Sequence, residues 1–411
     1  MKTSKILDVG GNAHVAAVHR QDGTFLWKTK LTAWLVVVGL ALLGRELRWQ
    51  RIRTRRLPRS ALLLAALWAL AVGVTAQTGA GPGTARDAGN PYVGGWALTL
   101  PGGWPAWLGV EEEQGQLRAS WVWMDGTFGP LAEARLADGT LVMTRRLPAR
   151  DIIETITASA DGDTLELVKV TPGPNGQGET KFALVGHRLP PLPPAPDLAR
   201  VRFGAPIVLF NGRDLSGWRL SSAAAEAFHA RARHLQDLSG QPLSYPTGEN
   251  GWRARDGLLV NDPRQDEGKP YKAYGNLRTD REFEDFRLTL EVRVPKQGLS
   301  GVFLRGVYEV QVADSHGRRL RSNSMGGVYS RLTPTVAAEQ PSGAWQTLDL
   351  TLVDRHVTVV LNGTKIIDNQ PVPGSTPWAL WSDVTRPGPV YLRGDQTGVE
   401  YRNLVLRPVI P

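Results

Sequence analysis

The sequence predicts an all-β protein, a small antiparallel β-barrel or sandwich followed by a larger jelly-roll sandwich. Three observations carry this. The 411 residues include 45 Gly, 29 Pro and 14 Trp, a turn-rich and aromatic composition. Beyond Tyr92 the apolar residues come in short runs separated by turn dipeptides, not at the helical period. One polar stretch, Ala223 to Leu238, has helical character and reads as an insertion. At about 150 residues per domain the length suits two or three domains.

The N-terminus reads as an address over residues 1–76. Arg45, Arg48, Arg51, Arg53, Arg55, Arg56 and Arg59 form a basic run, and the uncharged stretch Ala61 to Val74 follows it. Val74 and Ala76 fit the small-residue positions of a cleavage site, the order of a secretory signal. A second apolar stretch, Leu31 to Gly44, lies upstream. Either translation begins just before the Arg run, or the two stretches form an uncleaved hairpin that tethers the body to the membrane through a cytoplasmic Arg-rich loop. Both readings export the body to the periplasm or the medium. Neither stretch reaches the roughly 18 residues of a firm membrane span.

Residues 77–90 are a small-residue linker. The first β domain occupies residues 91–188. Its expected strands are Trp96 to Leu100, Trp107 to Glu111, Leu117 to Trp123, Leu131 to Leu136, Leu141 to Arg146, Ile152 to Ala158, Thr164 to Val170 and Lys181 to Arg188. Asp125-Gly126, Asp138-Gly139 and Asp161-Gly162 supply turns. A proline-rich spacer covers 189–202, where Leu189 to Pro196 holds five prolines in eight residues and is barred from a sheet ladder. The second domain runs over 203–411. Its strands include Phe286 to Val294, Val302 to Arg305, Tyr308 to Ala313, Trp345 to Val353, Val357 to Leu361, Thr364 to Asp368, Val390 to Arg393 and Val399 to Leu406. Asn362-Gly363, between two β-branched runs, is the clearest hairpin in the chain.

The net charge of +9 is confined to the address: residues 1–60 hold 12 Lys and Arg against three Asp and Glu, and the remainder balances. A balanced body offers no electrostatic case for nucleic acid. The absence of Cys excludes disulfides, thiolate metal sites and Cys nucleophiles. There is no phosphate loop, dinucleotide fingerprint, His-Glu-x-x-His or nucleophile elbow.

Strand parity points to one face of the second domain. Phe303, Arg305, Glu309 and Gln311 share one parity, and Leu304, Val310 and Val312 the other. With the aliphatic set in the core, Arg305, Glu309 and Gln311 should project together from the opposite face, with Asp314 and His316 at the strand end. The alternative is a solvated face with ordinary ion pairs. Glu309, Gln311 and Asp314 also offer hard oxygen ligands to a divalent ion. His187 reads as a surface residue. Trp96, Trp104, Trp107, Trp121 and Trp123 read as barrel core before sugar platform.

A series of short motifs runs through the second domain: Phe210-Asn211-Gly212-Arg213-Asp214-Leu215-Ser216-Gly217-Trp218, Ser300-Gly301-Val302-Phe303-Leu304-Arg305, Tyr308-Glu309-Val310-Gln311-Val312-Ala313-Asp314, Gly326-Gly327-Val328-Tyr329, Gly343-Ala344-Trp345-Gln346, Leu361-Asn362-Gly363 and Tyr401-Arg402-Asn403-Leu404. In order and spacing, residues 203–409 resemble the 3-keto-disaccharide hydrolase domain family. That resemblance implies a concanavalin-like jelly roll and action on glycosides already oxidised to a ketone at C3. The upstream domain resembles one that precedes this module in exported bacterial members. Members often carry Asp-His-Gly near the last strands. Here the stretch is Gly394-Asp395-Gln396-Thr397-Gly398, so a step that the His performs elsewhere is missing or falls to another group.

A ketone at C3 acidifies the C2 proton, which a carboxylate can remove while a cation or a metal stabilises the enolate. Glu309 is the expected base and Arg305 the expected stabiliser, with Asp314 and His316 as further acid/base candidates. Gln311, Asn276, Arg278, Tyr329 and Asp395 are expected to bind substrate. The expected function is an exported enzyme cleaving 3-keto-glycosides. A non-catalytic carbohydrate-binding module is the alternative, and a surface scaffold a third.

Overall fold

The computed structural model describes residues 6–8, 14–18, 25–30, 90–100, 105–123, 128–147, 151–173, 177–221, 249–264, 272 and 274–411. The apolar stretches 31–44 and 61–74, the cleavage site, all of the 77–90 linker but its last residue, Trp104 and the helical stretch 223–238 lie outside the described residues. Among the described residues no helix is long and apolar enough to cross a membrane. The chain divides into two compact units, Met1–Ala88 and Gly89–Pro411. In the first, β1 (Ile6–Asp8), β2 (His14–Val18) and β3 (Phe25–Lys30) form an antiparallel meander that the sequence reading did not anticipate.

The second unit contains both β domains. The first is one nine-stranded antiparallel sheet: β4 (Gly94–Thr99), β5 (Pro105–Glu113), β6 (Gln116–Val122), β7 (Phe128–Pro130), β8 (Glu133–Ala137), β9 (Thr140–Leu147), β10 (Ile152–Asp161), β11 (Thr164–Pro172) and β12 (Glu179–Arg188). The order is β7-β6-β5-β4-β12-β11-β10-β9-β8. Residues 131–132 join its two edges. Leu131 N–H donates to Ala119 O at 2.8 Å and Ala132 N–H to Thr144 O at 2.8 Å, so the sheet curls toward closure. Period-2 alternation sends Leu141 and Met143, Ile156 and Ala158, and Leu165 and Leu167 inward with Trp96, Trp121 and Trp123. The turn Asp138-Gly139 has φ of +48° and +76°, the left-handed pair a tight hairpin requires.

The second domain is a sandwich of two antiparallel sheets. The larger runs β16 (Trp252–Arg255), β17 (Leu258–Asn261), β26 (Val399–Ile410), β19 (Phe286–Arg293), β22 (Gln346–Val353), β23 (His356–Leu361), β24 (Thr364–Pro371), with β13 (Arg202–Phe203) and β14 (Ile207–Val208) also on β26. The smaller runs β15 (Trp218–Ser221), β18 (Asn276–Thr279), β25 (Tyr391–Leu392), β20 (Leu299–Leu304), β21 (Tyr308–Ala313). Leu277, Leu392, Val302, Val310 and Val312 from the small sheet meet Phe286, Leu288, Leu350 and Leu406 from the large one in a single apolar core. The Asn362-Gly363 hairpin is present, with φ of +51° and +80°. The opening motif is a turn. Asn211 Oδ1 accepts from the N–H groups of Arg213 and Asp214, and Trp218 Nε1 donates to Leu209 O at 2.6 Å. Hydrogen bonds from Ser216 and Asn211 hold the Asp214 carboxyl down at about 2.

The proline segment is held by hydrogen bonds from the sandwich: Arg355 Nη2 donates to Pro190 O at 2.9 Å and to Pro191 O, and Asn369 Nδ2 to Pro196 O at 2.9 Å. One expectation needs correction: Trp107 is not barrel core. It alternates with the inward Ala106 and Leu108, so it faces out. Across the ladder it forms an outward row with Ala97 and Val122 that belongs to the sandwich's apolar core.

Candidate functional site

The site is the face of the small sheet turned away from the sandwich core. Along β21, Tyr308, Val310 and Val312 enter the core, so Glu309 and Gln311 take the other face. Register then builds a row across the sheet: Glu309 opposes Phe303, Phe303 opposes Tyr391, and Tyr391 opposes Arg278. Gly301 opposes Gln311 in the next row, and Asn276 and Arg393 share the face by alternation. The rings of Phe303 and Tyr391 lie 4.7 Å apart.

Glu309 is fully buried. Its Oε1 accepts from Gln311 Nε2 at 2.8 Å and Arg393 Nη1 at 3.2 Å. Its Oε2, also buried, has no hydrogen-bond partner among the described residues. Burial pushes the Glu309 carboxyl up to about 7, against the opposing pull of Arg393. Arg393 Nε pairs with Asp395 Oδ1 at 2.9 Å. Burial works against the Arg393 charge, but Glu309 and Asp395 together raise its pKa above the usual guanidinium value. Gly301 makes this geometry possible, because a Cβ there would sit 2.4 Å from Glu309 Oε1. Asn276 donates from Nδ2 to the Tyr391 hydroxyl and accepts from Gly394 N–H at 2.7 Å, which fixes the loop that carries Asp395.

Arg305 does not join this face, contrary to the expectation. It sits in the turn after β20 with φ of +56°, where alternation has ended. Its guanidinium donates to Val384 O and lies 3.5 Å from Asp285, on the side where its charge also acts on Tyr308, a core-facing residue. Arg393, which the sequence reading missed, is the guanidinium that lies beside Glu309 instead.

Asp314 and His316 follow β21 at the strand end, as expected. Asp314 Oδ2 accepts from Gln297 N–H at 2.7 Å, and His316 is exposed in the following turn. Asp314 is five residues from Glu309, roughly 16 Å of extended chain, so Glu309, Gln311 and Asp314 do not converge on one ion. No group of three or more His, Asp or Glu able to hold a metal occurs among the described residues. Arg278 lies in the row, with its guanidinium turned to Glu282 at 2.8 Å. Tyr329 flanks Glu309 through its backbone, donating N–H to Glu309 O at 2.8 Å. In the stretch that lacks the His, Gln396 Nε2 reaches Asp395 Oδ2 at 3.1 Å, and Thr397 Oγ1 accepts from Leu299 N–H at 2.7 Å. His187 is exposed on β12.

The second domain is thus an all-β jelly-roll sandwich with a buried carboxylate, guanidinium and amide on one face of its smaller sheet. Residues 205–407 match the family described as the 3-keto-alpha-glucoside-1,2-lyase-like domain, which supports a carbohydrate-active domain of glycoside-hydrolase type. No curated protein matches the chain. Among solved structures, the chain is similar to a candidate glycosyl hydrolase from Parabacteroides distasonis ATCC 8503, at 18% identity and a TM-score of 0.37, over 50% of this chain and 95% of that one. It is similar to a non-specific endo-β-1,3(4)-glucanase, at 11% identity and a TM-score of 0.30, over 53% of this chain and 94% of that one. It is also similar to a carbohydrate-binding module from Bacillus subtilis, at 11% identity and a TM-score of 0.23, over 40% of this chain and 98% of that one. Superpositions this loose carry no chemistry across.

Proposed function

We propose that the protein cleaves 3-keto-glycosides by elimination and hydration. Glu309 Oε2 takes the C2 proton of the sugar. The electron pair passes into the C2–C3 bond as the C3 ketone becomes an enolate. The enolate then expels the C1 substituent, whose oxygen takes up a proton, and leaves a C1–C2 double bond conjugated to the ketone. Water adds at C1 and a proton returns to C2, so the net change is hydrolysis and no oxidant is consumed. This path does not use the paired carboxylates of ordinary glycosidases.

One observation carries the reading: a buried carboxylate with one oxygen held by Gln311 and Arg393 and the other unpartnered, poised near neutral pH. A general base works best with a pKa near the working pH. Arg393, kept charged by two carboxylates, supplies the cation that an enolate needs. The complete burial of Glu309 favours one rival, a purely structural ion pair with Arg393. Incubating the protein with a 3-keto-disaccharide and following release of the reducing sugar separates the two. No release by the wild-type protein, under conditions where it is folded, would discard the enzyme reading. The Arg-rich run and apolar stretch upstream support an exported setting, which fractionation of expressing cells tests.

A further inference from the structure

We propose that Trp107 of the first β domain is a positioning residue for Glu309, so that the barrel is a working part of the site in the sandwich. This rests on the reading of Glu309 as the base.

The argument starts from the backbone of Glu309. Its N–H and C=O point away from β20, and neither is held by a strand. The N–H donates to Thr376 Oγ1 at 3.0 Å, and the C=O accepts from Tyr329 N–H at 2.8 Å. Two loops, 372–384 and 326–332, therefore set where the Glu309 backbone lies. Thr376 is buried and tied to Val307 O through both its N–H, at 2.9 Å, and its hydroxyl, at 3.1 Å.

Both loops bear on the Trp107 indole. The ring lies against Gly374, where a Cβ would come within 2.2 Å of Cδ1, and across Gly109 of its own strand, where a Cβ would meet Cη2 at 2.2 Å. The Arg331 guanidinium sits 4.3 Å over the same ring and 4.8 Å over Phe128, and its Nη2 donates to Ser375 O at 2.6 Å. One barrel side chain thus clamps the residues two positions away from each hydrogen-bonding partner of Glu309. A second contact reaches Arg393. Trp378 packs on the barrel core and lies 5.6 Å from the Arg393 guanidinium, with a φ of +68° that a bulky residue adopts only when its surroundings impose it.

The test uses the full-length chain with Trp107→Ala, Trp107→Phe, Gly374→Ala and the double variant Gly374→Ala/Trp107→Ala. Three quantities are read: kcat and KM on a 3-keto-disaccharide, melting temperature, and the titration midpoint of Glu309 by carbon NMR of labelled glutamate, assigned with Glu309→Gln. Trp107→Ala and Gly374→Ala should each lower kcat by about 10- to 100-fold with KM nearly unchanged, the scale of an ångström-sized misplacement. Both should move the Glu309 midpoint downward as water reaches the loosened site. Trp107→Phe should restore much of both. The double variant should be no worse than Trp107→Ala, because the added methyl then meets no indole. Unchanged kcat and an unchanged Glu309 midpoint in Trp107→Ala and Gly374→Ala, with only melting temperature lowered, would overturn the proposal. If Trp107→Ala does not fold, Gly374→Ala, which removes no apolar surface, decides alone. If the wild type shows no turnover, the enzyme reading fails, and the NMR midpoint still decides whether Trp107 positions Glu309.

Discussion

In the proposed mechanism Glu309 is the base, and its isosteric amide is the sharpest probe. Glu309→Gln keeps the size and the hydrogen bond from Gln311 but removes the proton acceptor. Turnover should fall by about 10²- to 10⁴-fold, the usual worth of a general base. Its titration also makes a stability prediction. The folded-state carboxyl sits near 7, above its ordinary value of 4.5, so the folded protein binds the extra proton between these limits. Its contribution is therefore full below about pH 4.5 and is lost as pH rises through 7, by up to about 3 kcal/mol at 1.36 kcal/mol per pKa unit. Melting temperature of the wild type relative to Glu309→Gln should decline over that window. A constant difference would mean the carboxyl titrates normally. Gly301→Ala completes the residue scale. Its methyl would come within 2.4 Å of Oε1, so the carboxylate must move, and we expect about a 10²-fold loss of activity with about 1–3 kcal/mol of destabilisation. Retained activity in that variant would place the working oxygen elsewhere.

At the scale of elements, the two ends of the β20–β21 hairpin have different tasks. Alternation within the strands puts Glu309 and Gln311 on the face turned away from the sandwich core. The turn between them places Arg305 in the clasp that ties Asp285 and Val384 together. Asp285 is itself held at a second point, accepting Asp354 N–H at 2.9 Å, and burial raises its carboxyl despite Arg305. Arg305→Met should therefore destabilise by about 3 kcal/mol, the lower end for a buried pair because Asp285 keeps some exposure. Chemical denaturation measures it. In the folded fraction, the Glu309 midpoint should be unmoved, since the Arg305 guanidinium lies on the opposite face. A large shift would return Arg305 to the site. The barrel has a parallel interior feature. Glu154 accepts from Arg145 at 3.2 Å, from Thr171 at 2.6 Å and from Lys169, beneath the stacked pair Trp121 and Trp123.

At the scale of the molecule, the barrel and the sandwich share one apolar cluster. Ala97, Trp107, Val122 and Leu189 pack with the sandwich core, and the proline segment is held along it by Arg355 and Asn369. Exposing an indole and its neighbours to water costs about 25 cal/mol per Å², so neither domain unfolds without destabilising the other. A calorimetric scan of residues 89–411 should give one cooperative transition whose calorimetric and van't Hoff enthalpies agree. Two resolved transitions would mean the shared cluster couples the domains weakly. Trp107→Ala should bring that separation about.

Much of this was already present in the linear chain, and the reason is local. Turn dipeptides such as Asn362-Gly363 need no distant partner to act, and period-2 alternation assigns a face wherever a strand continues. These rules sufficed for the all-β class and for the placing of Glu309 and Gln311 opposite Val310 and Val312. They fail where the strand stops. Arg305 keeps the parity of Glu309 in the sequence but has left the β region, and a left-handed φ sends its side chain to the other side. Trp107 has the composition of a core residue, yet which core it joins depends on a surface contributed by residues more than 200 positions away. Gly301 meets Glu309 within the local β20–β21 hairpin, but Arg393 reaches it only because β25 pairs with β20, a pairing between distant segments that no local pattern encodes. Local propensity and periodicity decide which face a residue can take. The assembly of sheets from distant segments decides what it meets there.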